Sequence, residues 1–132
     1  MDDTMTIREM CEAFEVTPRT LRFYESKELL SPIREGQKRL FTRRDRARLK
    51  LILQGKRFGF SLEEIRQLLD LYKGGQEPEI QITEAIRVGT RHLEEMQAQH
   101  SALTAAIKDL RDQLDAGEQR LAALRGQQHA AE

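Results

Sequence analysis

Two clusters in this 132-residue chain carry side chains suited to one kind of chemistry, the gripping of a polyanion. The first is Thr17, Pro18, Arg19, Thr20, Arg22, Phe23 and Tyr24, with Lys27 just beyond. The second is Lys38, Arg39, Phe41, Arg43 and Arg44. Arginine presents a planar fork of donors that matches a guanine edge or a phosphate, and lysine a compact positive charge. No comparable set exists for covalent chemistry. His92, His100 and His129 stand apart on or near one long helical stretch, and no Cys/His cluster, Gly-rich phosphate loop or acid–base pair is present. An enzyme is therefore not expected, nor are catalytic residues, a metal or a cofactor. Cys11 is the single cysteine, so no internal disulfide can form, and it reads as a small apolar core residue.

The elements that must position these residues are short capped helices. Thr6-Ile7-Arg8-Glu9 is a capping box that opens a helix over Ile7 to Phe14, with Ile7, Met10, Cys11 and Phe14 on its core face. Thr17 is placed as an N-cap and Pro18 as the first helical residue of a second helix, to about Ser26. Two capped helices joined by a tight turn at Glu15-Val16 predict a helix-turn-helix, whose second helix would enter the DNA major groove. Arg19 and Thr20 then sit in its first turn, where base edges are reached. Ser31-Pro32 ends that unit, and Ile33 to Phe41 predicts a two-stranded wing turning at Gly36, with Lys38 and Arg39 reaching for phosphate or the minor groove. Thr42 to Asp45 caps a third helix to about Arg57. Arg43 and Arg44 at its start oppose the helix dipole by a few tenths of a kcal/mol, a mild hint that they meet an anion. Ser61-Leu62-Glu63-Glu64 caps a fourth helix, Leu62 to Tyr72, with Ile65, Leu68, Leu69 and Tyr72 as its stripe.

Lys73 to Pro78 reads as the linker, which divides the chain into a head at 1–75 and a helix with a short tail at 76–132. From about Ile80 to Leu124 a 3–4 apolar repeat runs without a proline: Ile86, Gly89, Leu93, Met96, His100, Leu103, Ile107, Leu110, Leu114, Gly117, Leu121 and Leu124. That is a coiled-coil pattern, too long for the small head to cover, so a homodimer is expected. Its seam would be Ile86, Leu93, Met96, Leu103, Ile107, Leu110 and Leu114. Gly117 is expected to weaken it and let the last turns fray. The fold expected is mostly α: a winged helix-turn-helix followed by a long dimerising helix.

Formal net charge is zero, but the distribution is uneven. Between Arg34 and Arg57 there are ten basic residues against two acids, Glu35 and Asp45. Phosphate senses that local field, because screening at physiological salt acts within about 8 Å. No run of about 18 apolar residues is present and the Met1-Asp2-Asp3 start is acidic, so a cytoplasmic protein without a membrane partner is expected.

Thr6 to Met10, Val16 to Glu25, Leu29-Leu30, Arg34 to Phe41 and Gly59 to Ile65, in that order, resemble the opening of MerR-type transcriptional regulators. The resemblance covers about residues 5 to 72 and implies a DNA-binding dimer with an antiparallel dimer helix. It implies use of the Arg22-Phe23-Tyr24 stretch against DNA. It further implies a near-palindromic promoter operator, distortion of an over-long promoter spacer, and RNA polymerase as a partner. Metal-sensing members carry cysteines at the start of the dimer helix and in a loop after it, which this region lacks, and drug-sensing members carry a large ligand domain after the helix. A short form without an effector domain is therefore expected. The competing reading is a coiled-coil adaptor whose helical head binds protein. Salt separates the two, since phosphate binding weakens steeply with salt.

Overall fold

The computed structural model describes residues 3–71 and 78–131. Its elements are β1 (Met5–Thr6), α1 (Ile7–Phe14), α2 (Pro18–Ser26), β2 (Ile33–Glu35), β3 (Lys38–Phe41), α3 (Arg43–Arg57), α4 (Leu62–Asp70) and α5 (Pro78–Ala131). The fold is mostly α, with one small antiparallel sheet in the order β1-β3-β2. The chain forms two compact units, Met1–His92 and Leu93–Glu132. The linker expected at 73–78, and with it the boundary near residue 75, falls almost wholly outside the described residues. By its contacts the first unit extends into α5 as far as His92.

Each helix of the first unit begins where its capping residues dictate. Thr6 accepts from the Glu9 N–H while Glu9 accepts from the Thr6 N–H at 2.9 Å, and Ser61 and Glu64 repeat the exchange for α4. Thr17 accepts from the Thr20 N–H at 3.2 Å, with Pro18 following at the first helical position. Glu15 takes the left-handed conformation at φ 54°, which turns the chain sharply enough for α2 to start three residues later. Gly36, at φ +61°, makes the wing's turn, where a side chain would be strained although space is open.

The core consists of Met10 from α1, Leu21 and Tyr24 from α2, Leu29 and Leu30, Phe41, Leu49 and Ile52 from α3, and Ile65 and Leu69 from α4. Ile7, Cys11 and Phe14 pack against it, as the α1 face requires. Burial pushes the Cys11 thiol up, outweighing the nearby Arg22 charge, so it stays protonated at neutral pH. Gly55 is buried where α3 meets α4; a Cβ there would lie 2.8 Å from Ile65 Cγ1, so only glycine permits this approach. On α4, Ile65 and Leu69 are buried and Leu68 half-buried, while Tyr72, expected to complete the stripe, lies outside the described residues.

Strand β1 is an addition to the expected two-stranded wing. It pairs Met5 with Phe41 and Thr6 with Leu40, and two residues carry no alternation from which to infer a strand. Asp45 is the other unexpected feature. Nearly fully buried, it accepts from the Ser31 N–H at 3.0 Å, the Thr42 N–H at 3.1 Å and the Thr42 hydroxyl at 3.2 Å. One carboxylate therefore closes the capping box of α3 and pins the chain on both sides of the β2–β3 hairpin.

Helix α5 spans 54 residues, about 80 Å at 1.5 Å per residue. It passes through Gly117 to Ala131 as one helix: one glycine costs about 1 kcal/mol relative to alanine, which weakens a helix this long without ending it. In its first turns Val88 and His92 are buried within the first unit. His92 is therefore not the isolated histidine expected. Its ring lies 4.7 Å from that of Phe60, and Nε2 is 3.0 Å from Glu64 Oε1. Arg91 reaches the other oxygen of the same carboxylate.

Candidate nucleic-acid interface

Helix α2 divides its side chains cleanly. Leu21 and Tyr24 face the core, and Arg19, Arg22, Phe23 and Lys27 are exposed. Phe23 keeps 45% of its surface in solvent, an unusual exposure for a large aromatic, and Lys27 Nζ sits 5.7 Å from its ring centroid. Among the described residues no carboxylate pairs with Arg19 or Arg22. Their guanidinium groups are left to solvent or to an outside anion. Thr17, Pro18 and Thr20 stand at the N-terminus of the helix, where the positive end of the dipole adds to the field. The Thr17 hydroxyl already accepts from the Thr20 N–H and lies 3.0 Å from the Thr20 hydroxyl, so these two threonines first of all shape the helix start.

Two expected contacts are corrected by burial. Tyr24 is 3% exposed and Phe41 is 0% exposed, so neither ring is available to a ligand on the surface. Tyr24 lies on the same face of α2 as Leu21, three residues before it, and that face closes over Met10 and Leu29. Phe41 points inward because its strand, β3, sits between β1 and β2, and the side chains alternate between core and solvent.

The wing distributes its charges unequally. Lys38 is exposed on β3. Arg39 is not free: its Nε donates to Glu25 Oε1 at 2.5 Å with only 23% of the side chain exposed. Arg34 donates to the other Glu25 oxygen at 2.9 Å. Partial burial pushes the Glu25 carboxyl up, but the hydrogen bonds and charges of Arg39 and then Arg34 outweigh it and hold it below the usual carboxylate range. At the start of α3, Arg44 is exposed and makes no ion pair among the described residues, whereas Arg43 donates to Asp3 at 2.6 Å. That pair is largely solvent-exposed and worth little, so Arg43 can exchange Asp3 for a phosphate at small cost.

Arg19, Arg22, Lys38, Arg43 and Arg44 are thus the basic residues of the expected site that the fold leaves exposed. Glu25 and Asp45 were missed as organisers of the site. The spacing of Glu25 from Arg34 and Arg39 has no local period, and nothing in a one-dimensional pattern points to a contact across 14 residues. The signal for Asp45 was present in part, as an aspartate where a capping box ordinarily has a glutamate. Among the described residues no group of three His, Cys, Asp or Glu is placed to hold a metal ion, and no helix is long and apolar enough to cross a membrane.

Comparison with known proteins bears on the same segments. The model of the MerR HTH family regulatory protein matches residues 5–71, and that of the MerR DNA-binding region matches residues 46–116. The HTH-type transcriptional regulator ZntR of Escherichia coli K12 is 45% identical over 67 residues, 49% of this chain and 48% of that protein. The chain therefore spans about half the length of this curated relative. A MerR-family transcriptional regulator from Bacillus cereus superposes with a TM-score of 0.62 at 29% identity, covering 80% of this chain and 75% of that one. HiNmlR, a MerR-family regulator lacking the sensor domain and bound to promoter DNA, superposes with a TM-score of 0.63 at 25% identity, covering 80% and 79%. With the capped helix pair, the wing and the exposed arginines in the matched span, this chain belongs to the MerR family of helix-turn-helix regulatory proteins.

Proposed function

We infer that the protein is a sequence-specific regulator of transcription that binds double-stranded DNA as a homodimer. The observation that carries this reading is the outer face of α2, where Arg19, Arg22 and Phe23 are exposed and, among the described residues, no carboxylate occupies the two arginines. Placed in a major groove, that face offers two guanidinium forks to base edges and phosphates. Lys38 on the wing and Arg43 and Arg44 at the start of α3 supply charges for the flanking backbone.

The homodimer follows from α5. Ile86, Leu93, Met96, Leu103, Ile107, Leu110 and Leu114 are all exposed in the single chain, in a repeat that a second copy would cover. Two heads related by two-fold symmetry require a near-palindromic operator. Distortion of the promoter spacer, so that RNA polymerase contacts come into line, is the mode of action that family membership suggests, and a cytoplasmic location goes with it. Bending or untwisting a site of 20–30 base pairs costs on the order of a few kcal/mol, which phosphate contacts at both ends can offset.

Binding of the purified full chain to genomic fragments, followed by footprinting at two salt concentrations, tests the reading. A two-fold symmetric footprint with an affinity that falls steeply as salt rises is the expected result. A dimer that protects no fragment at low salt would refute DNA binding and leave the adaptor reading in its place.

A further inference from the structure

The wing contains a conflict that its own strands do not resolve. Arg34 on β2 and Arg39 on β3 are directly opposed in the antiparallel register. Like charges facing one another across strands destabilise the pairing. The compensating charge comes from elsewhere: Glu25, on the helix that carries Arg19 and Arg22, places one carboxylate oxygen on each guanidinium, at 2.9 Å and 2.5 Å. Glu25 is mostly sequestered, with 22% of its side chain exposed, so the pair with Arg39 is screened far less than a surface ion pair.

We propose that Glu25 is a positioning residue that sets the wing against the recognition helix, and that Arg34 and Arg39 serve this clamp instead of neutralising phosphate. The proposal rests on the DNA-binding reading above and deepens it by separating the basic residues of the wing into two kinds. Lys38 is available to DNA. Arg39 holds Lys38 and the turn at Gly36 at a set place relative to Arg19 and Arg22. Because the same carboxylate grips both strands and belongs to α2, a displacement of the wing breaks both ion pairs at once.

The test uses the full chain with Glu25→Gln, Arg39→Gln and the double substitution, each first shown to keep the wild-type helical content and unfolding cooperativity. On the operator fragment, each single variant is expected to lose protection in the flanks of the footprint while the centre of each half-site stays protected, with about a tenfold loss of affinity. The double variant is expected to lose no more than either single one, because both substitutions remove one coupled unit. The salt slope should remain that of the wild type in Arg39→Gln, whereas loss of an independent phosphate contact would lower it by about 0.9. Additive losses, a lowered slope, or tighter binding by Glu25→Gln through released arginines would each overturn the proposal. Amide hydrogen exchange over residues 34–41 of the free protein decides the clamp without DNA. Severalfold faster exchange in Glu25→Gln supports it and unchanged exchange refutes it. Failure of the wild type to bind any fragment would instead count against the regulator reading.

Discussion

The two compact units treat their apolar residues in opposite ways. In the first, Met10, Leu21, Leu29, Leu30, Phe41, Leu49 and Ile52 are at most 1% exposed, and polar groups such as Asp45 are buried only with their hydrogen bonds made. In the second, every large apolar side chain of the repeat lies in solvent; Leu103 is 61% exposed and Leu114 58%. Both units are helical and both have an apolar period, so the difference is not one of local propensity. Short helices joined by tight turns can fold back and cover one another. A continuous helix cannot fold onto itself, so the apolar stripe of α5 stays exposed in the single chain. The first unit thus buries its own core, and the exposed repeat of the second is the surface that the proposed homodimer would cover.

The largest effect that tests this contrast is expected from Ile107→Lys. A charge in the centre of a seam should weaken dimerisation by about a hundredfold or more, several kcal/mol, and give monomers in analytical ultracentrifugation. The first unit should keep its own unfolding transition. A persistent dimer would mean that the seam runs elsewhere on α5.

Next is Asp45→Ala, which strips the Ser31 and Thr42 N–H groups of their acceptor. A loss of about 2–4 kcal/mol is expected in thermal or denaturant unfolding, with the dimer retained. Gly55→Ala should cost about 1–3 kcal/mol in the same assay, because the new Cβ meets Ile65 on α4.

Of similar size to the glycine substitution, but confined to binding, is the effect of Arg22→Ala or Arg19→Ala. Each is expected to cost about 1–3 kcal/mol on the operator and less on unrelated DNA, whereas Lys38→Ala should weaken all sequences alike and lower the salt slope by about 0.9. Equal losses on every sequence would move the arginines from base edges to phosphate.

The smallest effect is one of pH. The Glu64 carboxyl is pulled down to about 2, first by the Ser61 N–H that it accepts, then by His92 and Arg91, against an opposing contribution from burial. A carboxyl depressed from its ordinary 4.5 stabilises the fold fully above that value, and this stability is lost as pH falls toward 2. Glu64→Gln keeps an acceptor for the cap but removes the charge. Its unfolding free energy should therefore vary less between pH 4.5 and 2 than that of the wild type, with a loss of about 1 kcal/mol at neutral pH. An unchanged acid profile would show that the charge contributes nothing there.

Local chemistry determined much by itself. Thr6, Thr17, Thr42 and Ser61 start helices wherever they are placed before suitable residues, since a cap needs only a backbone three positions away. Proline at position 18, glycine at 36 and the 3–4 repeat of α5 act over similarly short distances, so the helix-turn-helix, the wing and the long helix were all legible in one dimension. The division of α2 into a core face and an outer face was legible only in part, because an adjacent aromatic pair gives no sign of which ring turns inward; packing sent Tyr24 in and left Phe23 out. Tertiary structure alone decided which basic residues are available. Glu25 reaches Arg34 and Arg39, Asp3 reaches Arg43, and Glu64 reaches Arg91 and His92, over separations from 9 to 40 residues. Charge pairing depends on distance in space, and sequence period carries no record of partners brought together by folding.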